Sequence, residues 1–340
     1  MTTLRMNLGE HSYDISVGRG LLACADKYFN LSRRVFIVTD EGVPSEYSEK
    51  IAACAKIAKI VTVPAGEATK SIEVYSRLLS DMAEFGMTRT DCAVAVGGGV
   101  IGDLTGFVAA SYMRGIDFYN VPTTLLSQVD SSIGGKCAIN HAGIKNIVGA
   151  FFQPRGVIID LDTLKTLQGR QISNGLAEAV KMALTSDAEL FSLLERSENP
   201  KDKLDEIILA SLKIKKAVVE EDERECGVRK ILNFGHTLGH GIEASSGMEE
   251  YLHGECVAMG MLPVSSPEVR ERLIPVLKKL SLPTVYGGDI EAAAALAVHD
   301  KKCDGDKISV VLVGEVGSYA IEKMKLSDFL TLIKTSTNKF

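Results

Sequence analysis

The sequence has no run of basic residues, no C-x-x-C pair and no long uninterrupted apolar stretch. Each absence removes a class of protein. Lys plus Arg number 38 against 44 Asp plus Glu, a formal net charge of -6. A mildly acidic chain is a poor nucleic-acid binder, so any anionic ligand must be held by a local cluster of cations. The seven cysteines are odd in number and widely spaced. That argues against a disulfide framework and a cysteine zinc site, and it fits a reducing cytosol. The most apolar long stretch, residues 92–110, is broken by Gly97, Gly98, Gly99, Gly102, Asp103 and Gly106. It is too polar and interrupted for a membrane span. The opening Met-Thr-Thr-Leu-Arg carries no basic-then-apolar signal pattern. There is no internal repeat and no low-complexity linker. A soluble, cytoplasmic protein is expected, with neither a nucleic-acid nor a membrane partner.

What is present is material for a core. Hydrophobic residues make up 46% and charged residues 24% of 340, ordinary globular values at a length suited to about two domains. Up to about residue 160 the pattern alternates. Short β-branched or apolar runs at 34–40, 59–64, 93–96 and 116–121 are separated by helical periodicity at 45–58 and 71–85. Strands spaced by helices imply βαβ units and a parallel sheet. Beyond that point long helical patterns dominate, at 175–194, 204–220 and 231–245, and only 308–313 reads as a strand. The expectation is an α/β domain over residues 1–158 and a mainly helical domain over 159–340.

Gly97-Gly98-Gly99-Val100-Ile101-Gly102-Asp103 follows a buried strand and opens a helix. Glycines let backbone N–H groups approach a phosphate, and a helix N-terminus favours negative charge. A diphosphate site is the favoured reading over a ligand-free glycine turn, although the loop is not on the first strand. Asp40, ending the 34–40 run, is placed either for a ribose hydroxyl or as a helix cap.

Six histidines occur, and three of them, His236, His240 and His253, fall close together. His236 and His240 are four apart on one helical face, and His253 follows a loop. Imidazole is a common zinc ligand, and a catalytic site wants three protein ligands and an open position. Glu178 supplies a candidate oxygen ligand from an apolar helical stretch, where a lone carboxylate is costly. Spacing leaves open whether His240 or His253 is the third ligand. Cations at Arg114, Lys136, Lys145, Lys181, Lys215 and Arg229 stand beside glycine- or amide-rich motifs. Singly each reads as a solvated surface group. Together they suit a phosphorylated, carboxylated small molecule.

These motifs in this order resemble the 3-dehydroquinate synthases over nearly the whole chain. The likeness is carried by Gly66-Glu67-x-x-Lys70, Gly97 to Asp103, Pro122 to Lys136, Asn174-Gly175-x-Ala177-Glu178-x-x-Lys181, Asn233-x-Gly235-His236-x-x-Gly239-His240 and His253-Gly254-Glu255. The resemblance implies a Rossmann-like first domain, a helical second domain and an active site in the cleft between them. It implies an NAD- and zinc-dependent lyase, with cobalt able to substitute. Such an enzyme turns 3-deoxy-D-arabino-heptulosonate 7-phosphate into 3-dehydroquinate and phosphate. A transient oxidation at C5 acidifies the C6 proton, phosphate leaves, the ketone is reduced again, and an aldol step closes the ring.

By motif match, Glu178, His236 and His253 are the implied metal ligands. The implied NAD contacts are Asp40, Glu67, Lys70, Gly98, Gly99, Val100, Asp103, Thr123, Thr124, Lys145, Thr163 and Thr166. The implied substrate contacts are Arg114, Asp130, Lys136, Asn146, Lys181, Lys215, Arg229, Asn233, His240 and one of the pair Lys301 and Lys302, with Lys301 preferred. A homodimer is expected. Two departures stand out. His141-Ala142-Gly143-Ile144-Lys145-Asn146 replaces the usual His-Pro-x-Gly-Lys-Asn, and the segment from Gly260 to Leu273 is short. A metal-dependent polyol dehydrogenase and a sister sugar-phosphate cyclase are the rival readings.

Overall fold

The computed structural model describes residues 1–246, 250–296, 303–304 and 307–337. Two compact units emerge, Met1–Gln168 and Gly169–Phe340. The strands of the first are β1 (Thr2–Met6), β2 (Tyr13–Gly18), β3 (Arg34–Asp40), β4 (Ile57–Val63), β5 (Cys92–Gly97), β6 (Asp117–Pro122), β7 (Lys136–His141), β8 (Ile144–Phe151) and β9 (Gly156–Asp160). Seven form one sheet in the order β1-β2-β9-β6-β5-β3-β4. From β2 to β4 all neighbours are parallel, and the edge strand β1 runs antiparallel to β2. β7 and β8 form a separate antiparallel hairpin.

Three helices, α1 (Ser45–Ala53), α2 (Ile72–Glu84) and α3 (Gly99–Ser111), cover the sheet. Every residue of β5 is buried, as expected of a strand covered on both faces. Successive side chains serve opposite faces. Phe36, Val38, Ala93 and Ala95 pack with Leu78 and Met82 of α2 and Ile101 and Leu104 of α3. Val35, Ile37, Val94 and Val96 pack on the other side with Tyr47 and Ile51 of α1. The chain steps from β3 to β4 on one side, then returns to lay β5 on the other side of β3. Open α/β sheets take ligands at such a reversal, beyond the carboxyl ends of the two strands. Here those ends are Asp40 and Gly97.

The second unit holds α4 (Gly169–Ser186), α5 (Ala188–Arg196), α6 (Leu204–Glu221), α7 (His236–Ser245), α8 (His253–Met261), α9 (Pro267–Lys279), α10 (Ile290–Leu296) and α11 (Leu326–Thr337). A small sheet, β10 (Cys303–Asp304), β11 (Lys307–Leu312) and β12 (Ala320–Lys325), accompanies them. Helix α4 is its centre, buried from Ile172 through Thr185, with α5, α6 and α8 against it. Gly254 lets α8 reach α4. A Cβ there would lie 2.0 Å from the Asn174 carbonyl oxygen, and the Gly254 N–H donates to Asn174 Oδ1 at 2.6 Å.

Several local features differ from the sequence expectation. The 175–194 pattern is two helices, because Asp187 Oδ1 accepts from the N–H groups of Glu189 and Leu190, each at 2.9 Å, and caps a new one. The 231–245 pattern opens with a 3-10 turn at Val228–Asn233, and Gly235 at φ +75° separates that turn from α7. Among the described residues the C-terminal region has three strands where one is expected. β12 is exposed along almost its whole length, so no buried alternation marks it. Among the described residues no helix is long and apolar enough to cross a membrane.

Candidate active site

In the first unit the polar residues gather where the sheet reverses. Gly98 precedes α3 in extended conformation. At Gly99 a Cβ would stand 2.9 Å from Ser131 Oγ, so the first turn of α3, with Val100, lies close against the Ser127–Ser131 turn, and a side chain there would displace the Ser131 hydroxyl. Asp103, one turn into α3, accepts from Lys70 Nζ at 2.6 Å. Lys70 is buried, and its Nζ also donates to Asn146 Oδ1 and lies 3.7 Å from Glu67 Oε1. Burial works to lower the Lys70 pKa, but Asp103 and Glu67 more than offset it and hold the ammonium above its ordinary value. Asn140, which the sequence did not single out, donates to Glu67 Oε1 and accepts from the Asn146 N–H, each at 2.9 Å. Glu67, Lys70, Ser71, Asn140 and His141 line a cavity of about 380 Å³. Asn146, implied as a substrate contact, thus hydrogen-bonds within the set implied for NAD.

Asp40 Oδ1 accepts from the Gly42 N–H at 2.8 Å, while the first helix starts after Pro44. It closes a turn and does not cap α1. Burial raises its pKa. The Thr123 N–H donates to the Gly97 carbonyl at 2.9 Å, and Thr124 Oγ1 accepts from the Ser127 N–H at 3.2 Å. Thr163 Oγ1 accepts from Gln128 Nε2 at 3.0 Å, and Thr166 Oγ1 meets the Tyr47 hydroxyl at 2.9 Å. Lys145 is half-buried on β8, Asp130 is half-buried, and Lys136 and Arg114 are exposed. Met113 and Arg114 both hold positive φ, 50° and 70°, a costly backbone for side-chain-bearing residues.

In the second unit the metal candidates converge. Glu178 is fully buried on α4, one turn from Asn174. Its Oε1 lies 3.6 Å from His236 Nε2 and 3.4 Å from His253 Nε2. Asn174 brings His253 there, because it anchors the start of α8. Glu178 also pairs with the ammonium of Lys181, itself buried. That ion pair is made by Oε2, and Oε1 makes no hydrogen bond among the described residues. A buried carboxylate oxygen with no hydrogen bond, facing two imidazoles, fits a divalent cation. Metal–ligand bonds of about 2.0–2.1 Å in a tetrahedron put ligand atoms roughly 3.3–3.4 Å apart, close to the separations here. His236 Nδ1 lies 3.1 Å from the Phe234 carbonyl oxygen, which leaves Nε2 as the lone-pair nitrogen. Burial lowers the His253 pKa, but Glu178 and Glu243 outweigh it and push the ring up to about 10. A cation would displace that proton. His240 stands beside both, its ring centroid 5.4 Å from His236 and 6.0 Å from His253.

The same unit holds more buried cations. Lys215 and Arg229 are buried. Arg229 donates to the Glu223 carbonyl. Asn233 Nδ2 donates to Glu225 Oε1 at 2.6 Å, a partner the sequence reading missed. Asp222 fixes the intervening loop, accepting from the N–H groups of Cys226, Gly227 and Arg229 at 2.9, 2.7 and 3.0 Å. Lys301 and Lys302 lie outside the described residues.

Solved structures share this architecture. A 2-deoxy-scyllo-inosose synthase complexed with carbaglucose-6-phosphate, NAD+ and Co2+ is 25% identical over 98% of this chain and 100% of its own, with a TM-score of 0.89. The 2-epi-5-epi-valiolone synthase of Streptomyces hygroscopicus, with NAD+ and Zn2+ bound, is 28% identical over 98% of this chain and 99% of its own, with a TM-score of 0.86. Fold and site together define a synthase of the sugar-phosphate cyclase type. Profiles of the 3-dehydroquinate synthase N-terminal and C-terminal regions match residues 60–174 and 175–303. The 3-dehydroquinate synthase of Enterococcus faecalis is 43% identical over 94% of each chain. The chain belongs to the 3-dehydroquinate synthase family.

Proposed function

We propose that this chain converts 3-deoxy-D-arabino-heptulosonate 7-phosphate into 3-dehydroquinate and phosphate, using NAD and a divalent metal, zinc or cobalt. The observation that carries the reading is the buried Glu178 carboxylate, whose Oε1 makes no hydrogen bond among the described residues and faces His236 and His253 while its Oε2 pairs with the Lys181 ammonium. Glu178, His236 and His253 would hold the metal, whose chemistry when bound is to acidify a substrate hydroxyl. Glu67, Lys70, Asp103 and the Gly98–Val100 turn would hold NAD, whose chemistry when bound is to take a hydride and return it. Buried Lys181, Lys215 and Arg229 supply positive charge for a ligand bearing phosphate and carboxylate. The fork of Arg229 suits a planar carboxylate, and the ammonium groups suit phosphate oxygens. His240, beside the two liganding histidines, is placed to carry a proton to or from the bound sugar. Exposed Ile144, Ile147 and Phe151 on β8 support a homodimer, and the cytoplasm is the proposed setting. The test is an assay with heptulosonate 7-phosphate, catalytic NAD and Zn2+ or Co2+. Equal release of phosphate and dehydroquinate is expected, and substrate left intact would refute the reading.

A further inference from the structure

His253 presents its two ring nitrogens to two carboxylates. Nε2 is 3.4 Å from Glu178 Oε1, and Nδ1 is 3.7 Å from Glu243 Oε2. His236 divides its nitrogens in the same way, with Nε2 toward Glu178 and Nδ1 at 3.1 Å from the Phe234 carbonyl oxygen. A carbonyl only accepts, so the His236 proton is on Nδ1 and its lone pair on Nε2. For His253 the acceptor in the corresponding place is Glu243. The helical repeat puts it there, since His236, His240 and Glu243 follow one another at i, i+4 and i+7 along one face of α7, and α7 packs on α8.

Glu243 also forms, with His240 and His253, a second group whose potential ligand atoms lie within 4.8 Å of one another. A neutral imidazole has one lone-pair nitrogen, so His253 can give that pair to one group only. The Glu178 carboxylate is fully buried, whereas all three members of the second group are partly exposed. Lys181 pairs with Glu178 Oε2, while Oε1 already faces a second imidazole, that of His236, so the cation goes to Glu178 and the ring proton to Glu243.

We infer that Glu243 is a positioning residue, which accepts the Nδ1–H of His253, fixes its tautomer and turns Nε2 toward Glu178 and His236. The inference rests on the metal-ligand reading above. The 3.7 Å separation is an ion-pair distance, and closing it to a hydrogen bond of about 2.7–2.9 Å asks for a shift of roughly 1 Å at the flexible end of a glutamate. Removing a partner of this kind typically weakens metal binding about 10–100-fold.

The test titrates chelator-stripped parent, Glu243→Gln and Glu243→Ala proteins with Co2+ against a competing chelator, following the cobalt absorption bands. Glu243→Ala should bind about 10–100-fold more weakly than the parent. Glu243→Gln, which keeps a carbonyl acceptor, should fall between them. The band pattern should stay the same in all three, because the ligand set does not change. Alanine binding as tightly as the parent, or a band pattern altered as by a lost ligand, overturns the inference. A second arm needs no variant. In Zn2+-loaded parent labelled with 15N-histidine, His253 should carry its proton on Nδ1, and a proton on Nε2 overturns the inference. If the parent itself takes up no Co2+, the metal-ligand reading fails and the inference with it. Parent binding with an unaffected alanine variant defeats the inference alone.

Discussion

Glu178 Oε1 stands 3.4 Å from His253 Nε2, and the contact depends on Asn174 one helical turn away, whose Oδ1 holds the Gly254 N–H at 2.6 Å. One face of α4 therefore carries both the candidate ligand and the clamp that delivers its partner.

Glu178→Gln removes the charge that the cation needs and leaves Lys181 buried beside a neutral amide. Metal affinity should fall by more than about 100-fold, beyond the loss caused by a supporting partner alone. Stability should drop on the scale of about 3–5 kcal/mol, that of a broken buried ion pair. Chelator competition and urea unfolding measure the two. In the parent, chelation should abolish turnover, and Zn2+ or Co2+ should restore it.

Asn174→Ala strands the Gly254 N–H, at a cost of about 1–3 kcal/mol, and loosens His253 at the start of α8. Metal binding should weaken although no ligand has changed. Asn174→Asp keeps an oxygen acceptor and should recover most of the affinity. Equal affinity in parent and Asn174→Ala would show that the clamp does not position His253.

The outline of this site could be read in the sequence, and its detail could not. β5 and the glycines after it were visible because a wholly buried strand is an unbroken apolar run. Spacing did not decide between His240 and His253 as the candidate third ligand. His240 shares a helical face with His236, which makes it the local choice, and His253 comes to Glu178 through the Asn174–Gly254 contact between distant segments. Asn140 and Glu225 act through side-chain pairs across loops, which no local period encodes. Glu243 had a signal, its i+7 spacing from His236. β12 and β8 bury too few apolar side chains to show a strand pattern, and β7 alternates over only two buried residues, Cys137 and Ile139.

Lys70→Met should separate the two binding functions. It leaves the Asp103 carboxylate without its 2.6 Å ammonium partner. A charge-assisted hydrogen bond contributes about 1.5–3 kcal/mol, so NAD affinity should fall roughly 10–100-fold. Co2+ affinity should be unchanged. Nucleotide fluorescence and cobalt absorption read the two, and intact NAD binding with lost Co2+ binding would contradict the assignment.

Asp91 gives a pH signature of stability. Burial raises its pKa, but the Thr88 N–H, the Thr88 hydroxyl and the Arg34 N–H, at 2.7, 2.8 and 3.1 Å, outweigh burial and hold it below its ordinary value. A folded-state pKa below the unfolded one gives stability fully present above the unfolded value of about 3.9, and lost as pH falls through the folded value. Asp91→Asn should cost about 1–3 kcal/mol at pH 7, and the gap to the parent should narrow near pH 3. Urea unfolding at both pH values checks it. A gap that widens in acid would contradict the assignment.

On the proposed function, a hydride leaves the substrate and returns to it within one turnover. The most direct measurement uses heptulosonate 7-phosphate deuterated at C5, with NAD far below the substrate concentration. Many turnovers per NAD, no NADH build-up, and dehydroquinate that keeps the deuterium at the carbon it came from are expected. Deuterium lost from the product, or NADH accumulating in step with substrate consumed, would contradict it and point to a dehydrogenase.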